Sequence, residues 1–275
     1  PGSTFRCLQE SLINYGGNTK PEFITALHED SSVHFAQGYA KIAGKPMAAM
    51  VHGVVGLQHA SMAIYNAFAD QTPIFIIAGN MDVAENRRPG AEWAHTSHDQ
   101  GIIVRDYVKW DEQPTTLQGF ADSAVRAYDE ATSGSPGPVL IIADADLQEE
   151  PVTAQEIASL KIPRLGKREP IVAGSGAIQD VAQLLCNADN PVIVADRYGG
   201  SPHAMGLLVQ LAEALQAPVV DTRGRMNFPT QHPLNHTERA GAVLRQADVV
   251  LGVEPRDLFG MVANVADEEE RTTES

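Results

Sequence analysis

Short, wholly apolar runs alternate with amphipathic stretches along most of the chain. Met47 to Val51, Ile74 to Ala78 and Val139 to Ala143 are continuous apolar segments of strand length. That character predicts strands buried on both faces of a parallel sheet. Between them, Ser61 to Phe68 places Met62, Ile64, Tyr65 and Phe68 on a helical period. Thr116 to Ala131 likewise reads as a helix with Leu117, Phe120, Ala124 and Ala127 inward. Farther along, strands predicted at Val192–Ala195, Val219–Asp221 and Val249–Val253 alternate with helices near 177–187, 203–216 and 257–265. An extended run, Phe23 to Leu27, gives way to a helical pattern from Ser32 onward and predicts one more strand. This alternation is the signature of an α/β fold with a doubly wound parallel sheet.

Between Asp144 and Ala173 the periodicity fades. The segment is acidic near Gln148-Glu149-Glu150 and interrupted by Pro151, Pro163 and Pro170. It reads as a linker, residues 151–173, joining a first domain (1–150) to a second (174–275). The polar end, Asp267 to Ser275, reads as a solvated tail. A net charge of −15 argues against nucleic acid or an anionic membrane as the main partner. No apolar run approaches the ~18–20 residues needed to span a bilayer. The start, Pro1-Gly2-Ser3-Thr4, lacks the basic and apolar regions of a signal peptide. Cys7 and Cys186 are too few and too far apart for a disulfide framework or a metal knuckle. A cytoplasmic protein is expected.

The candidate chemistry lies at two strand ends. His28-Glu29 follows the Phe23–Leu27 run, and His52-Gly53-Val54-Val55-Gly56 follows Met47–Val51. Ligands of α/β folds bind at the carboxyl ends of strands. Adjacent strand ends would present an acid, an imidazole and a loop poor in side chains to one crevice. Plainer readings exist for each piece. An acid just before Asp30-Ser31-Ser32 complements a helix N-terminus, and a histidine in such a loop can cap the next helix. His95 and His98, with Asp99, are one helical turn apart but have no third ligand nearby, so no metal site is expected in this chain. Trp93 and Tyr65 read as core or dimer-contact residues.

Taken together, these stretches are collinear with a known family. His28-Glu29, Ala36-Gln37-Gly38-Tyr39-Ala40-Lys41, Gly44-Lys45-Pro46, His52 to His59, Ala67 to Pro73 and Ile76-Ile77-Ala78-Gly79 follow one another in order. Tyr107-Val108-Lys109-Trp110 and Gly137-Pro138-Val139-Leu140-Ile141 continue the series. They resemble the pyrimidine-binding (PYR) domain of thiamine-diphosphate enzymes of the acetolactate synthase, pyruvate decarboxylase and benzoylformate decarboxylase superfamily. Residues ~177–260, including Asn190-Pro191-Val192-Ile193-Val194 and Ala247-Asp248-Val249-Val250-Leu251, resemble the start of that family's Rossmann-like central domain.

The resemblance implies a function and a site. Glu29 corresponds to the glutamate that bonds the cofactor's aminopyrimidine ring, and partial desolvation beneath that ring would raise its carboxyl pKa. His52 matches the loop histidine of benzoylformate decarboxylase and would donate to the substrate or shuttle a proton. Gly53, Val54 and Val55 would lie against the cofactor, the glycines allowing close backbone approach. His59 stands where an asparagine is usual, which puts the bracing of that loop in question. His95 and His98 fall where some members carry substrate-facing histidines. The cofactors implied are thiamine diphosphate and Mg²⁺. The Gly-Asp-Gly motif of the diphosphate-binding (PP) domain is missing from this sequence. The central domain therefore reads as incomplete, and the metal would be held by the PP domain of a dimer partner.

The implied activity is decarboxylation of a 2-oxo acid in a homodimer or homotetramer, with acetolactate synthase-type carboligation as the alternative. The Val-Lys-Trp run and His52 lean toward the first. Some central domains of the family bind FAD; Asp196-Arg197-Tyr198-Gly199-Gly200 lacks the dinucleotide fingerprint, so an empty central domain is expected and FAD is the lesser alternative. A different class also fits the sequence, a non-catalytic module or scaffold that works only with a partner PP domain.

Overall fold

A computed structural model describes residues 2–81, 95–166, 172–260 and 263. The chain divides into two compact units, residues 1–167 and 168–275.

The first unit is built on a four-stranded parallel sheet. Its strands are β1 (Met47–Val51), β2 (Ile74–Gly79), β3 (Trp110–Glu112) and β4 (Val139–Ala143), in the order β1-β2-β4-β3. β4 is buried along its whole length because it is central and covered on both faces. Its apolar continuity made it readable from sequence. β3, only three residues long, carries no such signal and was not expected.

Two helices frame the end of the sheet that matters most. α2 (Glu29–Ala43) and α3 (Val54–Ala69) contact each other at Glu29–His59, His34–Asn66 and Lys41–Asp70. Contacts advancing together along both helices mean that they run parallel, with their N-termini side by side. Val33, Ala36 and Ala40 of α2 and Leu57, Ala60, Ala63, Ile64 and Ala67 of α3 are buried at helical spacing. Gly44 ends α2 in a left-handed conformation (φ 66°), which a residue without Cβ adopts at no steric cost.

One sequence expectation is corrected here. Phe23 to Leu27 forms no strand: no ladder partner engages it, and Ile24 and Leu27 are exposed. Extended apolar character alone does not supply the hydrogen-bonding neighbour a strand requires. α5 (Ala145–Glu149) precedes the segment read as a linker, residues 151–173, which itself carries α6 (Ala154–Ser159), started by a capping box of Thr153 and Glu156. Finally, Lys109 of the Val-Lys-Trp run donates to the carbonyls of Glu130 and Ser133, closing the end of α4 (Leu117–Thr132). Trp110 opens β3 and lies 5.4 Å beneath the Arg126 guanidinium. These contacts brace the end of α4 and the start of β3.

The second unit holds a three-stranded parallel sheet of β5 (Pro191–Ala195), β6 (Val219–Asp221) and β7 (Val249–Val253), in the order β6-β5-β7. α7 (Ser175–Asn187), α8 (Pro202–Leu215) and α9 (Ala240–Arg245) alternate with the strands. The glycine-rich loop after β5 is folded against its own unit: the Gly199 N–H donates to Asn227 Oδ1 at 2.7 Å. Asn227, fully buried, also donates to the Asp196 carbonyl and to Asp221. Of the helix expected at 257–265, residues 257–260 and 263 are described, and 258–260 and 263 are helical; the 267–275 tail lies outside the described residues.

Candidate active site

The site forms where the carboxyl ends of β1 and β2 meet the N-termini of α2 and α3. Glu29 is the first helical residue of α2, after His28 in extended conformation at the N-cap. Its position is thus set by the helix start, not by a strand end. Glu29 accepts a hydrogen bond from His59 Nδ1 at 2.9 Å, an ion pair when the imidazole is protonated. The edge of the His28 ring packs on His59 at 5.4 Å between centroids. Across the loop, a Cβ placed on Gly56 would lie 2.8 Å from His52 Cβ and 2.9 Å from Glu29 Oε1. Only glycine lets the acid and the His52 loop approach this closely.

The electrostatics of the pair follow from its hydrogen bond. The hydrogen bond from His59 holds the Glu29 carboxyl below its usual range and outweighs partial desolvation. The same bond raises the His59 imidazole, helped by the charge of Asp30. Glu29 is the ionised partner of His59 in this pair.

His52 is anchored by a residue the sequence did not flag. Thr4 Oγ1 lies 2.9 Å from His52 Nδ1 and accepts from the Gly53 N–H at 3.2 Å. The Thr4 hydroxyl thus ties the His52 ring to the backbone of the Gly53 turn. Thr4 is in turn held by Gln148, which donates to the Thr4 and Ala143 carbonyls at 2.8 and 2.9 Å. Thr4 stands 48 residues from His52, so no local motif could announce it. Gly53 is buried beneath Thr4, the Gly79 carbonyl and the His95 carbonyl, each 3.2 Å from a would-be Cβ. Its lack of a side chain lets these three groups close over the turn. Val54 is half-buried and Val55 exposed at the start of α3.

His95 joins the cluster, and His98 does not. The His95 and His52 rings are 5.3 Å apart, and His95 Nδ1 is buried without a hydrogen-bond partner. His98 is exposed. Asp99 is committed to Arg105, whose guanidinium also grips Asp111 at 2.7 Å. That pairing lowers Asp99 and raises Arg105, the Asp111 bonds acting most strongly on the arginine. Gln100, buried, donates to the Gly79 carbonyl at 3.0 Å and fixes this segment over β2. Beside it, Asp144 at the end of β4 is fully buried and accepts from Asn80 and Gln113. Trp93 lies outside the described residues, and Tyr65 is half-exposed with its ring edge-on to Tyr107. Among the described residues, no group of three or more His, Cys, Asp or Glu side chains is placed to hold a metal ion.

The first unit is an α/β domain with an acid beside a glycine-lined turn at the mouth of its parallel sheet, and sequence comparison gives the class. Residues 1–102 match the family described as "Thiamine pyrophosphate enzyme, N-terminal TPP binding domain", and residues 178–263 match "Thiamine pyrophosphate enzyme, central domain". The chain belongs to the thiamine-diphosphate-dependent enzyme superfamily.

Its relatives include benzoylformate decarboxylase of Pseudomonas aeruginosa, 27% identical over 214 residues that cover 76% of this chain and 39% of that protein. The large subunit of acetolactate synthase from Lactococcus lactis is 27% identical over 277 residues, covering 97% of this chain and 46% of that protein. The chain thus spans less than half the length of these relatives. A solved structure described as that of a thiamin diphosphate-dependent enzyme from Mycobacterium smegmatis shares the fold, with a TM-score of 0.70 and 23% identity. The similarity covers 92% of this chain and 48% of that one.

Proposed function

We propose that this chain supplies the pyrimidine-binding half of a thiamine-diphosphate-dependent enzyme that decarboxylates a 2-oxo acid. The observation that carries the reading is Glu29 at the start of α2, with Gly56 and the His52 loop packed beside it. Its surroundings suit the cofactor's aminopyrimidine: Glu29 offers a carboxyl oxygen, and the buried Nδ1 of His95 still has hydrogen-bonding capacity. When bound, thiamine diphosphate supplies a carbon nucleophile and accepts the electrons released with CO₂.

The protein's part is positioning and proton movement. Glu29 would hold or share a proton at the pyrimidine ring nitrogen, the reach of glutamate suiting a direct hydrogen bond. His52, held by Thr4, would donate to the substrate's carboxylate or ketone oxygen or shuttle a proton. Val54, Val55 and His59 would border the ring, and His95, its ring 5.3 Å from that of His52, would serve the substrate beside it; His98 has no place in this reading. Mg²⁺ and the diphosphate would be held by a partner PP domain. The exposed apolar side chains Met62, Tyr65 and Phe68 on α3 favour a homodimer or homotetramer. No described helix is long and apolar enough to cross a membrane, and a cytoplasmic location accords with the two unpaired cysteines. The second unit serves as a packing unit without FAD, since its glycine-rich loop already spends the Gly199 N–H on Asn227.

Acetolactate-type carboligation would use the same residues. It is favoured by the 97% coverage of this chain by the acetolactate synthase match. Product analysis with a 2-oxo acid, alone and with an added aldehyde, separates the two. The cofactor reading is tested by Glu29→Gln in the holoenzyme, which should lose turnover by roughly 10²–10⁴-fold while retaining cofactor binding. Near-normal turnover would sink it. Residues 1–275 alone should bind thiamine diphosphate only in the millimolar range, on the order of −4 kcal/mol. A micromolar titration in a calorimeter would place the diphosphate anchor within this chain.

A further inference from the structure

We propose that His59 is the proton partner of Glu29, a half-exposed imidazole that loads the catalytic acid from solvent and sets the alkaline limit of the reaction. The inference rests on the cofactor reading above and goes beyond it, because there His59 only borders the ring.

The geometry comes first. His59 Nδ1 and Glu29 Oε2 are 2.9 Å apart, and the exposures of their side chains are 49% and 27%. One end of the pair is therefore open to water and the other faces the Gly56 turn, where Glu29 Oε1 lies beside the His52 loop. The parallel packing of α2 on α3 fixes both partners on helices. The groups facing His59 are Glu29 and Asp30 at the start of α2 and the edge of His28 at its N-cap. His52 lies beyond Gly56, near Glu29. Within α3, the neighbours one turn away, Val55, Gly56, Met62 and Ala63, are not titratable.

Such a pair carries one proton near neutrality and titrates as a unit. The proton sits on His59 Nδ1 when the acid is ionised. Moving along the hydrogen bond to Glu29 Oε2 leaves a neutral imidazole and a neutral carboxyl, and the return is the same step reversed. Glu29 can thus be ionised in the resting protein and still have a proton to share with a ring nitrogen. An asparagine at position 59 could hydrogen-bond the acid but could not store or relay a proton. The proton leaves the pair only as pH rises through the elevated imidazole pKa, and at that point the acid has nothing to give.

Two measurements test this. In the 275-residue chain, imidazole resonances followed by NMR against pH, with His59 identified by its loss in His59→Asn, should show His59 titrating above 6.5, its ordinary value. In Glu29→Gln it should return to about that value or below. In the holoenzyme, His59→Asn should move the alkaline limb of hydrogen–deuterium exchange at the cofactor's reactive carbon toward acid by about one pH unit or more. An ordinary His59 titration in the unaltered chain overturns the proposal, as does an unmoved limb in His59→Asn. The imidazole titration requires no cofactor, so its failure leaves the cofactor reading standing. Undiminished turnover in the Glu29→Gln holoenzyme removes both.

Discussion

Gly56→Ala probes the site with a single methyl group. The new Cβ would sit 2.8 Å from His52 Cβ, 2.9 Å from Glu29 Oε1 and 3.1 Å from Glu29 Cγ. Ordinary van der Waals contact requires about 3.5–4.0 Å between carbons, so the neighbours must retreat by roughly half an ångström or more. The carboxyl tip can swing away. His52 Cβ is one bond from the backbone and cannot move without shifting the loop that Thr4 holds. Overpacking of this kind costs about 1–3 kcal/mol. Alanine recovers about 0.5–1 kcal/mol over glycine inside a helix, leaving a net loss of roughly 0–2.5 kcal/mol. The fold should survive, and the site should not. Displacement of a catalytic group by 1 Å can cost on the order of 10²-fold in rate. We therefore expect a modest shift of the urea midpoint, a His59 titration drawn back toward its ordinary value, and holoenzyme turnover lowered at least as steeply. A variant with full activity and an unaltered His59 titration would refute the claim that Gly56 sets the distance between Glu29 and the His52 loop.

Other perturbations address separate contacts. Thr4→Val keeps the shape but strips a buried acceptor from the Gly53 N–H and a partner from His52, which should cost about 1–3 kcal/mol in chemical denaturation. Lys109→Met should destabilise the first unit by unfastening the end of α4 while leaving the KM for a 2-oxo acid unchanged; a selective rise in KM without loss of stability would refute this bracing role. The Glu29–His59 pair also predicts a pH dependence of stability. The lowered carboxyl contributes fully above its unfolded value of 4.5 and loses its contribution as pH falls through the folded value. The raised imidazole contributes fully below 6.5 and loses its contribution as pH rises through the folded value. The difference in urea midpoint between the unaltered chain and Glu29→Gln should thus be largest between pH 4.5 and 6.5 and shrink on both sides. A difference that is flat with pH would mean the pair does not form in solution.

The sequence by itself determined the α/β class, six of the seven strands and the family. A strand buried on both faces must be apolar throughout, so β1, β2 and β4 in the first sheet and β5, β6 and β7 in the second announce themselves locally. Motif order could place Glu29 and the His52 loop in one crevice, because parallel sheets bring loops to the same edge. Tertiary structure alone decided which side chains touch there. Thr4 reaches His52 across 48 residues, Glu29 meets His59 across 30, and Asn80 meets Asp144 across 64. These contacts depend on the parallel run of α2 beside α3 and on the order of strands in the sheet, neither of which leaves a periodic trace. The same limit explains the one misreading. Phe23 to Leu27 has the composition of a strand, but a strand exists only where a neighbour completes its hydrogen bonds. The imidazole that lowers the Glu29 carboxyl likewise comes from the neighbouring helix, where no local pattern could announce it.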